Sequence, residues 1–297
     1  MIWVVGARGM LGQEVVRRLD ELGLQHVDSD VECDITQIRA VVSFADAAFR
    51  PGHFPRWVIN CAAYTAVDQA ESDEETAYRV NAQGPANLAA WCRDSGASLI
   101  HISTDYVFDG TASHPYVELA TPNPLSAYGR TKVAGERLVQ EALSRHIIVR
   151  TAWLYGTHGR NFVFTMLKLM QEGSPIRVVD DQKGSPTYAA HLAAALCEFV
   201  RRECNAYGIY HFTNSGETTW YGFAGEIYRG AADAGLLGCA CDIRPISSEE
   251  YRTRARRPGY SVLSTEKIQR ELGLGIPTWQ RGLEDFFAKM RQERETT

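Results

Sequence analysis

Four apolar residues, Ile2-Trp3-Val4-Val5, run directly into Gly6-Ala7-Arg8-Gly9-Met10-Leu11-Gly12, and this junction restricts the fold more than any other feature. In a strand–turn–helix unit the first glycine permits the tight turn, the second lets backbone approach a pyrophosphate, and the third lets helix and strand pack closely. The helix that follows offers unpaired N–H groups and the positive end of its dipole to an anion. Glycines are common in turns, but here the triplet sits between a strand pattern and a helix pattern. That context predicts a dinucleotide site on Gly6, Arg8, Gly9, Met10, Leu11 and Gly12. The spacing G-x-x-G-x-x-G differs from the G-x-G-x-x-G of many dehydrogenases.

The rhythm downstream agrees with such a fold. Apolar runs at 2–5, 26–27, 57–61, 98–102 and 147–150 alternate with helical patterns at 10–22, 35–49, 74–95 and 127–144. Strands alternating with helices build a parallel sheet covered on both faces. The expected class is α/β: a Rossmann-type doubly wound parallel sheet over residues 1–150, with a smaller mixed α/β substrate-binding domain over 151–297. In the second part, helices are expected at 161–172, 188–202 and 279–291 and a strand at 210–213. Some late segments are expected to return to the sheet. Asp109-Gly110 and Pro122-Asn123-Pro124 punctuate a long loop, and loops of that length are often functional.

Two signals bear on the dinucleotide, and they point in opposite directions. Asp28-Ser29-Asp30 follows the second strand, where a carboxylate accepts from a ribose hydroxyl and favours NADH. Arg8, inside the glycine loop, suits the 2′-phosphate of NADPH.

Tyr128 and Lys132 lie four apart in a helical segment, so both side chains share one helix face. Tyrosine titrates near pH 10 and holds its proton too tightly for a good acid near neutrality; a neighbouring ammonium stabilises the phenolate. Reduction of a ketone needs a hydride on carbon and a proton on oxygen, and a tuned tyrosine supplies the proton. Tyr-x-x-x-Lys is common by chance on exposed helices. It gains weight from Ser103-Thr104-Asp105, which follows the apolar run 99–102. Ligands of open α/β sheets bind beyond the carboxyl ends of the strands, where the Thr104 hydroxyl can polarise a carbonyl.

Composition narrows the classes. The net charge of −5 lacks the basic footprint of a nucleic-acid binder, and hydrophobic residues at 45% suit a sizeable core. No apolar run reaches the length of a membrane span and the start lacks a signal-peptide pattern, so a cytoplasmic protein is expected. Seven scattered cysteines do not suggest a disulfide framework, and Cys239-x-Cys241 has no second pair to complete a zinc site. One local basic cluster, Arg252, Arg254, Arg256 and Arg257, reads either as a solvated loop or as an anion site for a pyrophosphate.

Together the glycine triplet, Asn60-Cys61-Ala62-Ala63-Tyr64-Thr65, Ser103-Thr104-Asp105-Tyr106-Val107-Phe108-Asp109-Gly110 and Tyr128-x-x-x-Lys132 resemble the extended short-chain dehydrogenase/reductase superfamily. Within it, Val67-Asp68-Gln69-Ala70-Glu71, Asp181-Gln182-Lys183-Gly184-Ser185-Pro186-Thr187 and Ala255-Arg256-Arg257-Pro258 are similar to the dTDP-4-dehydrorhamnose reductase family, over nearly the full length. The resemblance implies Thr104, Tyr128 and Lys132 as the catalytic trio. It implies Gly9, Met10, Leu11, Asp28, Asp34, Ile35, Ala62, Ala63 and Tyr64 as cofactor contacts, with Tyr128 and Lys132 reaching the nicotinamide ribose. Asp105 and Trp153 match positions that touch the sugar. Asn161 suits a sugar-nucleotide contact, or equally a helix N-cap. The implied substrate is a dTDP-sugar, reduced at C4 with NADPH or NADH. Some members form homodimers bridged by Mg²⁺ on glutamates; Glu14 fits one such position, but Ala190 stands where another glutamate would be, which argues against the metal.

Two other readings compete. A sugar-nucleotide dehydratase of the superfamily typically carries a glutamate where this chain has Tyr106, which disfavours dehydration; an epimerase stays open. A non-catalytic dinucleotide-binding regulator, similar to the β subunit of methionine adenosyltransferase, belongs to another class; the intact Thr104/Tyr128/Lys132 set argues for chemistry.

Overall fold

A computed structural model describes residues 1–50, 52–237 and 240–295. Six strands form one all-parallel sheet: β1 (Ile2–Val5), β2 (His26–Ser29), β3 (Trp57–Asn60), β4 (Ser98–Thr104), β5 (His146–Thr151) and β6 (Gly208–His211). Their spatial order is β2-β1-β3-β4-β5-β6. Every residue of β1, β3 and β5 is buried, as a parallel sheet covered on both faces requires. One apolar layer joins the sheet to α1 (Met10–Glu21) and to a helix at Ala189–Arg201. The opposite layer holds α2 (Ile38–Ala48), α3 (Gly84–Ser95) and α4 (Ala127–Ala142), with Trp3 and Trp91 packed edge-on at 5.2 Å. β6, from the second half of the chain, pairs with β5 in this sheet.

The expected helix over 74–95 is three pieces: Glu74–Tyr78, a π-helical turn Arg79–Gln83, and α3. The wide turn follows from Asn81, fully buried, whose amide brackets Tyr64: Oδ1 accepts from Tyr64 N–H at 2.9 Å and Nδ2 donates to Tyr64 C=O at 3.0 Å. Nδ2 also donates to the Thr131 hydroxyl at 3.2 Å. Such single-turn π bulges recur at functional sites.

The second half departs further from expectation. A fourteen-residue helix, Trp220–Asp233, lies where the sequence pattern predicts none. Its start, Trp220-Tyr221-Gly222-Phe223, is poor in helix formers, yet Thr219 caps it through Gly222 N–H at 3.0 Å. Phe223, Ala224, Ile227 and Ala231 then bury against Val163, Met166 and Ile176. Ile176–Val179 and Ile243–Ile246 pair as parallel strands, again unforeseen. The last helix, Trp279–Glu295, closes this smaller core. Among the described residues, no helix is long and apolar enough to cross a membrane. Of the Cys239–Cys241 pair, Cys239 lies outside the described residues.

Candidate active site

The glycine loop has the geometry its spacing predicts. Gly6 adopts φ 76°, and a Cβ there would meet the Ala62 nitrogen at 2.6 Å. A Cβ on Gly12 would meet the Gly6 carbonyl at 2.1 Å, so helix α1 packs directly under the turn. Gly6 and Ala7 N–H both donate to the Ser29 carbonyl, at 2.8 and 3.0 Å, and tie the loop to the end of β2. A dinucleotide fits this cradle: the close backbone contacts leave no room for side chains at Gly6 and Gly12, and Gly9 stands at the N-cap of α1 without a side chain to obstruct the N–H groups there. Ala62, Ala63 and Tyr64 follow β3 on the same sheet edge, fixed by Asn60 Oδ1 on Ala62 N–H and by Asn81 on Tyr64. Ile35 is buried against Gly84, and its carbonyl accepts from Asn87 at 2.8 Å; the Asp34 carboxylate closes the turn at Thr36.

Asp28 is engaged through one oxygen of its carboxylate. His26 holds its carboxylate at 2.8 Å and reaches Asp20 with its other ring nitrogen at 3.0 Å. Against the cost of burial, those two carboxylates raise the His26 pKa. The two residues share a face because side chains alternate along a strand, so i and i+2 meet.

β4 ends on Thr104, and Ser126 caps α4 by accepting from Gly129 N–H at 3.1 Å. Glu71 adds an acceptor for Ala127 N–H at 2.8 Å. A Cβ on Gly129 would meet the Tyr106 carbonyl at 2.3 Å, so this glycine lets the start of α4 press onto the turn after β4. That contact brings the trio to one sheet edge: Thr104, Tyr128 and Lys132 are all buried, and the Thr104 hydroxyl donates to Asp105 Oδ1.

The electrostatics differ from expectation at Lys132. Its ammonium donates to the Ile102 carbonyl at 2.6 Å. Burial brings its pKa down to about 8, opposed by Glu136 one turn further along α4. At Tyr128 burial raises the pKa, the neighbouring Thr104 hydroxyl opposes the rise, and Asp105 and Tyr106 add to it. The tyrosine is therefore fully protonated at neutral pH. Asp105 is also buried; burial pushes its carboxyl up to about 6 against the opposing hydroxyls of Ser261 and of Thr104, the latter hydrogen-bonded at 3.0 Å. Its Oδ2 is buried without a hydrogen-bond partner.

Behind the trio, Arg150 on β5 forms a bidentate pair with Glu136 (2.9 and 2.7 Å), and both are buried. Ser103 donates to the same carboxylate, and the guanidinium lies 5.1 Å over the Phe108 ring.

The other expected contacts are placed unevenly. Trp153 has φ 47°, in the left-handed region uncommon for a bulky residue, and its ring stacks on Trp220 at 3.5 Å while touching Gly184. Asn161 is the N-cap of the helix Phe162–Glu172: Oδ1 accepts from Phe164 N–H and Nδ2 donates to the Gly156 carbonyl. Both ends of its amide are engaged locally, which is the capping arrangement. Arg257 reaches Asp68 at 3.0 Å and the Tyr106 hydroxyl, whereas Arg256 is exposed. Of the four clustered arginines, Arg257 is half-buried on Asp68, while Arg252, Arg254 and Arg256 are exposed. Asp68, unassigned from sequence, also accepts from Ala255 N–H at 3.0 Å and draws the 253–261 segment towards Tyr106.

Glu14, the position matched to a metal ligand, is fully buried and holds Lys289 at 2.6 Å and Arg17 at 2.8 Å. Burial opposes ionisation, but these two cations keep its pKa below the usual carboxylate range. Two side-chain cations thus surround this carboxylate.

The family described as RmlD substrate binding domain matches residues 1–292. A dTDP-4-dehydrorhamnose reductase of Streptomyces griseus is 42% identical over 96% of this chain and 92% of its own length. The chain belongs to this family. A dTDP-4-keto-6-deoxy-D-glucose reductase of Streptomyces niveus is also 42% identical, over 96% of both chains. The crystal structure of dTDP-4-dehydrorhamnose reductase from Bacillus anthracis in complex with NADP is 39% identical, with a TM-score of 0.88, covering 97% of this chain and 98% of that one.

Proposed function

We propose that this chain reduces the C4 ketone of dTDP-4-dehydro-6-deoxy-L-mannose to dTDP-L-rhamnose, using NADPH or NADH. The observation that carries the reading is the convergence of Thr104, Tyr128 and Lys132 at the end of β4, on the sheet edge that also carries the glycine cradle. The bound dinucleotide supplies the hydride to carbon. Tyr128 supplies the proton to the developing alkoxide, and burial keeps it protonated until then. The Thr104 hydroxyl polarises the carbonyl. The phenolate left on Tyr128 needs a cation, and Lys132 stands one helical turn away. The unpartnered Asp105 Oδ2 offers an acceptor to a sugar hydroxyl. Trp153 and Arg257 line the substrate side, the ring for a sugar or base face and the guanidinium for the pyrophosphate.

The test is Tyr128→Phe, followed by dinucleotide oxidation with the dTDP-4-keto sugar. Turnover is expected to fall at least about a hundredfold with dinucleotide binding retained, as for loss of a general acid; near-normal turnover refutes the assignment. Equal identity to the Streptomyces niveus reductase favours a second reading, a reductase of another dTDP-4-keto-6-deoxy sugar. Comparing kcat/KM for dTDP-4-dehydro-6-deoxy-L-mannose with that for dTDP-4-keto-6-deoxy-D-glucose separates the two.

A further inference from the structure

The end of β2 carries three carboxylates near the single arginine of the glycine loop, and each has a distinct partner. Asp28 is held by His26. Asp30 accepts from the N–H of Arg8 at 2.9 Å and of Val31 at 3.0 Å, which anchors the backbone of Arg8 at the lip of the cradle. Glu32 takes the Arg8 guanidinium through one carboxylate oxygen and the N–H of Asp30, at 2.9 Å, through the other. The Arg8 side chain is two-thirds exposed at 67% and Glu32 is 43% exposed, so solvent and ligands reach this pair. Beside it lies a cleft of about 620 Å³ lined by Arg8, Gln13, Arg17, Asp28, Asp30 and Glu32 among others.

A 2′-phosphate on the adenosine ribose is an anion that an arginine receives bidentately, and Arg8 is the cation of the glycine loop. Glu32 already fills that role with its own carboxylate. We propose that Glu32 competes internally with the 2′-phosphate of NADPH for Arg8, so that it sets the preference between the two dinucleotides. This rests on the dinucleotide reading of the glycine loop given above. NADPH must displace Glu32 and bring its dianion beside Asp28 and Asp30, whereas NADH leaves the Arg8–Glu32 pair intact. An exposed pair is weak enough to be displaced, so both dinucleotides bind.

The experiment is titration of the whole protein with NADH and with NADPH, read by nicotinamide fluorescence without any sugar. It compares the native chain, Glu32→Gln, Arg8→Ala and the double variant. Glu32→Gln is expected to tighten NADPH roughly fivefold, the value of one exposed ion pair, with NADH changed less than about twofold. The gain should vanish when Arg8 is alanine. Equal shifts for both dinucleotides, an unchanged NADPH affinity, or a gain that survives Arg8→Ala would each overturn the role of Glu32. Failure of the native chain to bind either dinucleotide would instead overturn the reading beneath it.

Discussion

Replacing Glu136 by glutamine tests the buried charge that stands behind the Thr104–Tyr128 face of α4. In the native chain its carboxylate accepts both arms of Arg150 and the Ser103 hydroxyl, with the side chains only 3% and 1% exposed. Glutamine keeps the shape and one acceptor but leaves the guanidinium charged, buried and unneutralised. Breaking a buried pair in this way costs about 3–5 kcal/mol, and the surviving acceptor places the expected loss near the lower end, about 3 kcal/mol. That is roughly a hundredfold in the folding equilibrium. Unfolding entropy scales with chain length, so the melting temperature should drop by about 5 °C. Urea unfolding followed by circular dichroism measures the first quantity and a thermal scan the second. The double variant Glu136→Met/Arg150→Met removes both charges and should recover most of the loss, because apolar replacements of a buried pair are near neutral or stabilising. A single variant within about 0.5 kcal/mol of native, or a double variant as unstable as the single, would refute the reasoning.

Two pH dependences follow from buried groups of the site, with opposite signs. Lys132 titrates near 8 in the fold, below its ordinary value of 10.5, so the unfolded chain binds the extra proton between those values. Native stability from this group therefore rises between about pH 8 and 10.5. Urea unfolding should show native protein gaining on Lys132→Met across that window, and a constant difference would count against it. Asp105 titrates near 6, above its ordinary 3.8, so the native state holds the proton more tightly and stability from this group falls as pH rises between them. Asp105→Asn should gain on the native protein from about pH 4 to 6 and keep a level advantage above 7; parallel stability profiles would rule out the buried carboxyl as the cause.

How much of this was legible beforehand depends on the range of the interaction. The glycine loop, the strand rhythm to Arg150 and the i, i+4 placement of Tyr128 and Lys132 are local or periodic, so the order of residues alone determined them. Asn81 gave no signal, since a lone asparagine in a helical pattern shows nothing of the π turn that turns it onto Tyr64 and Thr131. The helix Trp220–Asp233 was hidden for a related reason: its composition opposes it, and only burial of Phe223 and Ile227 in the smaller core makes it stable. Charge states were the least legible. Motif chemistry paired Lys132 with Tyr128, yet burial dominates both groups and the lysine faces the Ile102 carbonyl. The sequence by itself determined a parallel sheet opening on a phosphate cradle and which residue types stand at its edge. Only the tertiary structure decided what each carboxylate and cation holds — His26 on Asp28, Lys289 on Glu14, Glu32 on Arg8 — because those partners are distant in sequence or chosen by side-chain direction, and electrostatic pairing depends on distance and burial rather than on order along the chain.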